Sequence, residues 1–460
     1  MEIIIQQMMQ EMLDEAQKML REGGLNIGKL VSNIMDVLHQ AALKLIAQHI
    51  MEADRMILED KEGRRREGWT VERRGDVRTI TTQIGELSYK RTYYYNTKTR
   101  EYRYLIDQVV GVSPYMRVDT ALSEELVRKS RHASYHRAAE EVCDGLVSKQ
   151  TVMNKIRIAR PVVDVPTEKR SVPELHIDAD EDHVALQSKQ RKGKAIVPLV
   201  SVYEGVEAYG KRRYCKNIFH ISSYPQNAEK LWEDVLTRVE QRYDLSNTKI
   251  YLHGDGAAWI AKGKEWFPHV TFVLDPYHKN KYVKQMLAGY DISKASQLRK
   301  DLEQALSDMD EDYFDNIVKL LIRHSPEREP KIREAATYLH SHMAEIAIRA
   351  TDPAACNGGA TEPHVSHVLS DRLSSRPKGW SEKTLQSFAP ILANGSKVRI
   401  EEKSDKPVEA LAQNAIRKTG RRLRECSVVT SWQASFPALQ TGKRTGLFKA
   451  LKGVAHGFGQ

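Results

Sequence analysis

The spacing of apolar residues predicts a chain that begins with helices and continues into a β-rich segment. Apolar side chains recur at helical spacing within residues 1–60, at Ile34, Leu38, Ala41, Ala42, Leu45 and Ile46. From 68 to 106, runs of tyrosine and β-branched residues predict strands, including a hairpin formed by 89–95 and 98–104. The hairpin interleaves tyrosine with lysine and arginine, a mixture suited to stacking on bases and contacting phosphate. Tyrosine is also a good strand former, so a purely structural role remains open.

Residues 119–160 are again predicted to be helical, with the spacing of a helix-turn-helix. One short helix over 134–142 is followed by a turn at Gly145, and Ser148 is a suitable N-cap for a second helix. Polar side chains that could contact a DNA groove lie along that second helix, at Lys149, Gln150, Asn154, Lys155 and Arg157. Because two helices joined at a glycine are common, the pattern supports DNA contact and a structural role about equally.

From residue 173 onward, short apolar strands alternate with helices. We expect strands at 175–180, 184–187 and 195–203 to form an antiparallel meander, followed by a helix over 228–239. Further strands at 248–252 and 270–274 end just before Asp255 and Asp275. The order βββαβαβ predicts an α/β fold with a mixed sheet covered by helices. This order, with acids at the strand ends, is that of the ribonuclease-H-like fold.

A third acid is expected to come from a helix. Residues 284–350 read as a long helical block inserted after the last strand. Beyond it, Thr361 can cap a helix whose first turn contains Glu362. Glu362 would then project towards the two aspartates from the start of that helix.

Composition excludes several classes of protein. The chain has 460 residues, 41% apolar and 29% charged, which excludes a wholly disordered chain and suggests about three domains. No apolar run is long enough to cross a membrane, and no secretory signal is evident at Met1. The four cysteines are scattered without a CxxC pair, which argues against a disulfide framework or a zinc ribbon. A reduced, cytoplasmic protein is therefore expected.

The positive charge is concentrated near the carboxyl terminus. Residues 417–460 contain nine Lys or Arg and one acid, which accounts for +8 of the formal net charge of +10. Such a density of positive charge is typical of a segment that contacts a polyanion, and also of a solvated tail.

Four linked motifs, in this order, resemble the ISLre-type bacterial insertion-sequence transposases, a group similar to the Mutator-like superfamily. They are IDADEDHV at 177–184, HGDGAAWI at 253–260, DPYH at 275–278 and TEPHVSHVLSDRLSSRPKGWS at 361–381. The resemblance implies a DDE transposase with Asp180, Asp255 and Glu362 as its catalytic acids. Asp178 and Asp182 remain rivals for the first position, because residues two apart on a strand share a face. Possible supporting residues are Asp182, His183, Asp275, His278 and His364.

The chemistry implied is metal-dependent cleavage and joining of DNA strands. Water and a 3′-hydroxyl are weak nucleophiles at neutral pH, and two Mg²⁺ ions (Mn²⁺ is possible) would activate them and stabilise the leaving oxygen. Mg²⁺ prefers oxygen ligands, so the expected metal ligands are Asp178, Asp180, Asp255 and Glu362. The expected partner is double-stranded DNA at element ends and target, the family implies a homo-oligomer, and no membrane partner is expected. Further phosphate contacts are predicted at Arg191, Lys192, Arg372 and Arg376.

Two other functions compete with this hypothesis. A non-catalytic DNA-binding protein, such as a regulator or a domesticated transposase, would use the helix-turn-helix alone, although the intact acid set favours the enzyme. A zinc hydrolase built on His364 and His367 is disfavoured, because the chain lacks a His-Glu-x-x-His motif.

These patterns predict six regions. They are an N-terminal helical region at 1–66, a β-rich hairpin region at 67–112, a helix-turn-helix-like DNA-binding region at 113–165, a ribonuclease-H-like catalytic core at 170–283 and 355–400, a helical insertion at 284–354 and a basic C-terminal region at 401–460.

Overall fold

A computed structural model describes residues 2–21, 26–187, 193–210, 212–225, 227–376 and 378–401. The described residues fall into two units, one ending at Leu122 and the other spanning Ser123–Glu401. Arg191, Lys192 and the basic region at 402–460 lie outside the described residues.

The N-terminal unit combines long helices with an antiparallel sheet of order β1-β2-β3. Its elements are α1 (Glu2–Arg21), α2 (Ile27–Glu59), α3 (Lys61–Glu67), β1 (Trp69–Thr82), β2 (Gly85–Asn96), β3 (Tyr102–Arg103) and α4 (Leu105–Val109). Side chains of α2, including Ile50 and Ile57, pack with Trp69 and Tyr94 of the sheet in one apolar core. The Asp54 carboxylate accepts hydrogen bonds from the backbone N–H and the hydroxyl of Thr92, so a polar contact also joins helix to sheet.

The hairpin expected in this unit is present but secondary. The main partner of β2 is β1, with which it pairs over most of its length, whereas β3 pairs with β2 through only two residues. The strand prediction missed β1 as a long element because its sequence is rich in charged residues. Those charges are tolerated because seven of the fourteen residues of β1 are exposed and only two are buried.

The second unit begins with three helices. They are α5 (Thr120–Ser130), which crosses the unit boundary, α6 (Tyr135–Cys143) and α7 (Lys149–Ile158). The expected Ser148 cap is present, because its hydroxyl accepts a hydrogen bond from Thr151 N. Ser134, for which no cap was predicted, caps α6 in the same way by accepting from Arg137 N. Asp144 and Gly145 adopt positive φ values in the turn that separates α6 from α7.

A five-stranded mixed sheet forms the centre of the second unit, so the mixed α/β class is confirmed. In chain order its strands are β6 (Glu174–Ala185), β7 (Lys194–Tyr203), β10 (Phe219–Ser222), β12 (Lys249–Gly254) and β13 (Val270–Leu274). Their spatial order is β10-β7-β6-β12-β13. The pairs β10–β7 and β7–β6 are antiparallel, whereas β12 runs parallel to both β6 and β13.

The expected meander at 175–203 is wrong in one respect. Residues 175–180 and 184–187 are not two strands, because β6 runs unbroken from Glu174 to Ala185 and pairs with β7 along its length. The third antiparallel strand is instead β10, which follows a small hairpin of β8 (Val206–Tyr209) and β9 (Arg212–Cys215). The strand continues through the acids because Asp178 and Asp182 are buried and hydrogen-bonded rather than turned out to solvent.

The two faces of this sheet differ sharply. One face packs on helix α8 (Ala228–Glu240) in a core that contains Leu175, Ile177, Ala179, Val200, Leu252 and Trp232. The intervening positions of β6 place His176, Asp178, Asp180 and Asp182 on the other face. Candidate chemistry is therefore confined to one side of the sheet.

Helices follow the last strand, as expected. They are α10 (Pro276–Leu287), α11 (Ile292–Asp308), α12 (Glu311–His324), α13 (Glu329–Ser341) and α14 (Met343–Thr351), and they share an apolar core that includes Leu302, Phe314, Leu321, Ile332 and Leu339. The chain then forms α15 (Thr361–Val365), a π-helical turn at Ser366–Ser370, α16 (Asp371–Leu373) and α17 (Glu382–Asn394).

Short elements complete the described chain. They are β4 (Ala159–Pro161), β5 (Arg170–Ser171), β11 (Tyr243–Asp244), α9 (Ala258–Ala261) and β14 (Val398–Ile400). Within the described residues, no helix is both long enough and apolar enough to traverse a lipid bilayer.

Candidate active site

Three aspartates lie side by side on three neighbouring strands, Asp180 within β6 and the other two directly after β12 and β13. Asp178 of β6 pairs in register with His253 of β12, so Asp180 and Asp255 each lie two residues further along adjacent strands. The backbone N–H of Asp275, directly after β13, donates to Gly254 O at 2.9 Å. Because neighbouring strands lie about 4.8 Å apart, Asp180, Asp255 and Asp275 form a row at the carboxyl end of the parallel part of the sheet.

This row of acids perturbs Asp180. Burial, with a smaller contribution from the negative charges of Asp255 and Asp275, raises the pKa of Asp180 to about 6 against the opposing effects of the Glu181 backbone N–H and His278. The Glu181 N–H donates to Asp180 Oδ1 at 2.8 Å. A carboxyl group held among other acids is stabilised by a cation or a proton.

Asp275 and His278 form the rim of this cluster. Asp275 Oδ2 caps α10 by accepting from the backbone N–H groups of Tyr277 at 2.9 Å and His278 at 3.4 Å, while its Oδ1 is buried without a hydrogen-bond partner. Burial lowers the pKa of His278, but Asp275, Asp255 and Asp180 outweigh that effect and raise it overall. The positive charge that this favours would partly offset the three carboxylates.

The loop that carries Asp255 is held by the inserted helices. The Tyr338 hydroxyl of α13 donates to Asp255 O at 2.7 Å, and Asp255 Oδ1 accepts from Ala257 N at 2.8 Å. Gly256 has φ +87°, and a Cβ there would lie 2.3 Å from His342 Nε2. Glycine is therefore required in this turn, and sequence analysis had assigned no role to Tyr338 or His342.

Asp178 anchors the segment that leads into α15. Its carboxylate accepts from Gly359 N at 3.2 Å, Ala360 N at 2.8 Å and the Tyr203 hydroxyl at 2.9 Å, and it lies 3.3 Å from His364 Nδ1. Although burial opposes it, His364 and the other donors lower the pKa of Asp178. These contacts occupy the lone pairs of a carboxylate that is only 2% exposed, so the structure favours an anchoring role over the predicted metal-ligand role.

The start of α15 differs from the expectation. Its N-cap is Ala360, and Thr361 is the first helical residue, with its hydroxyl buried and unpartnered. The chain is held just before the helix, where Gly359 N and Ala360 N donate to Asp178, and His364 N donates to Ala360 O at 3.2 Å. Only the folded sheet supplies the Asp178 acceptor, so the local sequence could not indicate this anchor.

Glu362 is placed near the acids by its backbone rather than by its side chain. Ala360, two residues before it, is hydrogen-bonded to Asp178, two residues before Asp180. The Glu362 side chain is exposed, and the acids that raise the pKa of Asp180 are Asp255 and Asp275. Among the described residues, no group of three or more His, Cys, Asp or Glu side chains is already arranged to hold a metal ion.

The remaining predicted supporting residues take separate positions. Asp182 is 7% exposed, and its Oδ1 accepts from the Ser374 hydroxyl at 2.8 Å while Oδ2 has no partner. His183 is exposed on the opposite face of β6, 3.7 Å from Glu181. Burial opposes protonation of His364, but Asp178 and Cys215 raise its pKa to about 9. Its Nε2 lies 3.6 Å from Cys215 Sγ.

A buried ring stack beneath these residues was not foreseen. The rings of His176 and Tyr251 stack with centroids 5.1 Å apart, and His176 Nδ1 lies 3.1 Å from His253 Nε2. Gly358 covers both histidines, because a Cβ at that position would lie 2.2 Å from His253 Nε2. The Gly358-Gly359 pair thus allows the backbone to approach the sheet closely.

The predicted DNA contacts on α7 divide into two sets. Lys149, Gln150 and Asn154 are exposed, with Gln150 Nε2 donating to Asn154 Oδ1 at 3.3 Å. Lys155 is half-buried. Arg157 donates to Thr384 Oγ1 at 3.1 Å and to the Ser381 hydroxyl at 3.2 Å, so it joins α7 to α17.

The two described arginines after α15 also differ from one another. Arg372 is 6% exposed, its Nε donates to Ser130 O at 2.8 Å, and its guanidinium lies over the rings of Tyr135, Trp380 and Phe388. It therefore serves packing rather than the predicted phosphate contact. Arg376 is exposed and remains available for that role.

Comparison with known proteins shows relatives along nearly the whole chain. The model of the uncharacterised protein family UPF0236 matches residues 20–406. A UPF0236 protein of Caldanaerobacter subterraneus subsp. tengcongensis, whose name joins eleven designations beginning with TTE0033, is 33% identical over 97% of this chain and 95% of its own. UPF0236 protein TTE2489 of the same organism is 33% identical over 94% of each chain. The chain therefore belongs to the uncharacterised protein family UPF0236.

Proposed function

We propose that this protein is a DDE-type transposase that binds the ends of an insertion sequence and catalyses metal-dependent cleavage and transfer of DNA strands. The observation that carries the proposal is that Asp180 and Asp255, far apart in sequence, lie side by side on neighbouring strands, each two residues beyond the paired Asp178 and His253. The raised pKa of Asp180 adds support, because perturbed carboxyl groups concentrate at functional sites.

The sheet supports the same reading. Its first three strands are antiparallel neighbours in the order 3-2-1, and its fourth and fifth strands continue beside the first in parallel. We infer a ribonuclease-H-like fold from this order, with one candidate acid, Asp180, within its first strand and the other, Asp255, directly after its fourth. Helices α11 to α14 then form the insertion between the fifth strand and the helix that carries Glu362.

The donor set is suited to Mg²⁺ or Mn²⁺. Asp180 and Asp255 supply oxygen ligands, and the unpartnered Oδ1 of Asp275 offers another. Glu362 would complete the set once its exposed side chain turns towards the row. Two bound ions would activate the attacking hydroxyl and stabilise the leaving oxygen. The protein's own contribution is to hold the carboxylates in place through the Tyr338 and Asp178 contacts.

Residues outside the acid row account for DNA binding in this proposal. The exposed side chains of Lys149, Gln150 and Asn154 would contact double-stranded DNA, and Arg376 would contact a phosphate. A homo-oligomer that pairs two ends follows from the resemblance to insertion-sequence transposases. One relative's name joins eleven designations from one organism, and we take this multiplicity as support, since transposition multiplies a coding sequence.

The test is cleavage of DNA that contains the element's own ends. The full chain is incubated with a plasmid carrying its coding segment and the flanking DNA on both sides, with Mg²⁺ or with a chelator. We expect Mg²⁺-dependent nicks at the borders of the element. Asp180→Asn and Asp255→Asn should each reduce cleavage by at least about a hundredfold, because several kcal/mol of transition-state stabilisation would be lost.

Matched variants provide the control and distinguish between the candidates for the third acid. Asp315→Asn changes an exposed acid on α12 and should leave cleavage unchanged. Glu362→Gln and Asp275→Asn identify the third acid, according to which of the two abolishes cleavage. If wild type binds the ends but never cuts them, or if Asp255→Asn cuts at the wild-type rate, the enzyme proposal fails. The first of these outcomes would favour a non-catalytic DNA-binding protein.

A further inference from the structure

Four tyrosine rings form a chain of contacts on the N-terminal sheet, with one stacked pair and two tilted pairs. The ring of Tyr93 stacks on Tyr102 with centroids 5.5 Å apart and lies 4.6 Å from Tyr104, while Tyr95 lies 4.8 Å from Tyr102. The guanidinium of Arg73 lies 4.9 Å from the centre of the Tyr93 ring. We call these five residues the tyrosine surface.

Packing alone does not explain this surface. The tyrosines that build the core of the unit are Tyr89 and Tyr94, which are 2% and 0% exposed. Tyr102, in contrast, is 51% exposed. Cross-strand aromatic pairs stabilise a sheet by up to about 1 kcal/mol each, which accounts for the stacking but not for a large ring left half in water.

The charge around the tyrosine surface is strongly positive. Residues 64–104 contain eleven Lys or Arg against five Asp or Glu, a net charge of +6. Some of these cations are neutralised, as Arg73 is by Asp76 at 2.7 Å. Lys98 and Arg100, in the turn that joins β2 to β3, are exposed and lie next in sequence to the pair formed by Tyr95 and Tyr102. A polyanion is therefore favoured over an acidic or neutral surface as the occupant.

We propose that the tyrosine surface binds single-stranded nucleic acid, with a base stacked on Tyr102 and the adjoining phosphates near Arg100. Aromatic rings beside basic side chains bind unpaired strands with little sequence preference, because every base has a face that can stack. Bases within a duplex already stack on each other and cannot reach an aromatic ring without being unpaired. This surface contains none of the candidate catalytic acids, so the binding proposal can be tested independently of the proposed cleavage activity.

The first experiment measures affinity. The full chain is titrated against fluorescein-labelled oligothymidylate of about twenty nucleotides, in chelator so that no cleavage occurs and in about 0.2 M salt to weaken non-specific phosphate contacts. Tyr102→Leu should weaken binding roughly tenfold, because one base loses its stacking partner. Tyr102→Phe keeps the ring and should bind nearly as well as wild type.

Tyr115→Leu is the matched control, because Tyr115 is 92% exposed in the same unit but lies outside the stack. It should leave the affinity unchanged, and thermal unfolding of all three variants checks that they fold. Arg100→Gln should weaken binding and flatten its dependence on salt, as expected when one phosphate contact is lost.

A second experiment locates the contact directly. Oligothymidylate carrying 5-iodouracil is irradiated with the full chain, and the crosslinked peptides are identified by mass spectrometry. We expect crosslinks within 93–104 that disappear in Tyr102→Leu and persist in Tyr115→Leu. Crosslinks found only elsewhere, or equal affinities of Tyr102→Leu and wild type, would overturn the proposal.

A hairpin duplex of matched length serves as competitor. If the duplex displaces oligothymidylate with equal affinity, and does so in a manner that depends on Tyr102, the assignment to single strands is wrong. If the chain binds oligothymidylate through Tyr102 but never cuts element ends, only the proposed cleavage activity is contradicted. If the chain cuts element ends but its Tyr102→Leu variant binds oligothymidylate normally, only the proposed role of the tyrosine surface is contradicted.

Discussion

The two faces of the five-stranded sheet bury opposite kinds of side chain, apolar on one face and polar on the other. On one face, Ile177 and Leu252 are completely buried against α8, whose Trp232 is also completely buried, and apolar burial supplies stability there. On the other face, the same strands bury His176, Asp178 and His253, each of which needs a hydrogen-bonding partner.

The polar face contains the groups that lower the stability of the fold. Every polar group on the second face has to be matched by another, and Asp178 achieves this with donors from Tyr203, Gly359 and Ala360. Asp180 does not, since its pKa is raised by burial and by neighbouring acids. A site that keeps like charges together at the expense of stability is typical of function rather than packing. Three predictions test this contrast.

The largest effect is expected on the apolar face. Trp232→Ala should lower the free energy of unfolding by about 3–5 kcal/mol, because it leaves a cavity in the core under the sheet. Denaturant-induced unfolding followed by circular dichroism measures the loss. Glu233→Ala, at an exposed position on the same helix, should change stability by less than about 0.5 kcal/mol. A loss below about 1 kcal/mol for Trp232→Ala would show that this face is not the main core of the unit.

An intermediate effect is expected at the anchoring carboxylate. Asp178→Asn should lower the free energy of unfolding by about 2–3 kcal/mol, because an amide cannot accept all the hydrogen bonds directed at the carboxylate. Tyr203→Phe removes only one of those donors and should cost about 1 kcal/mol by the same assay. If Asp178→Asn were as stable as wild type and abolished only cleavage, Asp178 would be a metal ligand rather than an anchor.

The smallest effect, and one of opposite sign, is expected at Asp180. Its pKa in the folded chain is about 6, above the ordinary value of 3.8, so the folded state holds the proton more tightly than the unfolded state does. The stability from this group is therefore fully present below pH 3.8 and is lost as the pH rises through 6. Asp180→Asn does not titrate and should gain on wild type by about 1–2 kcal/mol between pH 5 and pH 7.5.

Urea unfolding of both proteins in metal-free buffer at the two pH values measures this difference. The comparison cancels the other titrating groups to first order. A wild type that gained stability relative to Asp180→Asn over that range would mean that Asp180 is paired with a cation in the folded chain. The contrast between the two faces would then be weaker than we infer.

Local patterns predicted much of the fold. Helical spacing identified α8, the inserted helices and the α6–α7 pair, and the Ser148 cap of α7 was also predicted. Apolar runs identified β12 and β13. The segment that was predicted wrongly is β6, which was expected to be two strands because its alternating acids resemble the end of a strand. They remain in the strand only because Ser374 and the backbone of 359–360 arrive from almost 200 residues away to satisfy them.

The sequence by itself determined which residue types are available for chemistry and which strands carry them, because the period of a strand and the position of its last apolar residue are local properties. Tertiary structure alone decided the role of each acid. Asp178 and Asp180 have the same residue type, share a strand and point to the same face, yet Asp178 meets three hydrogen-bond donors and the His364 ring, whereas Asp180 meets two more acids. That distinction depends on the register between β6 and β12 and on the path of the chain after the inserted helices, which long-range packing sets and no local pattern encodes.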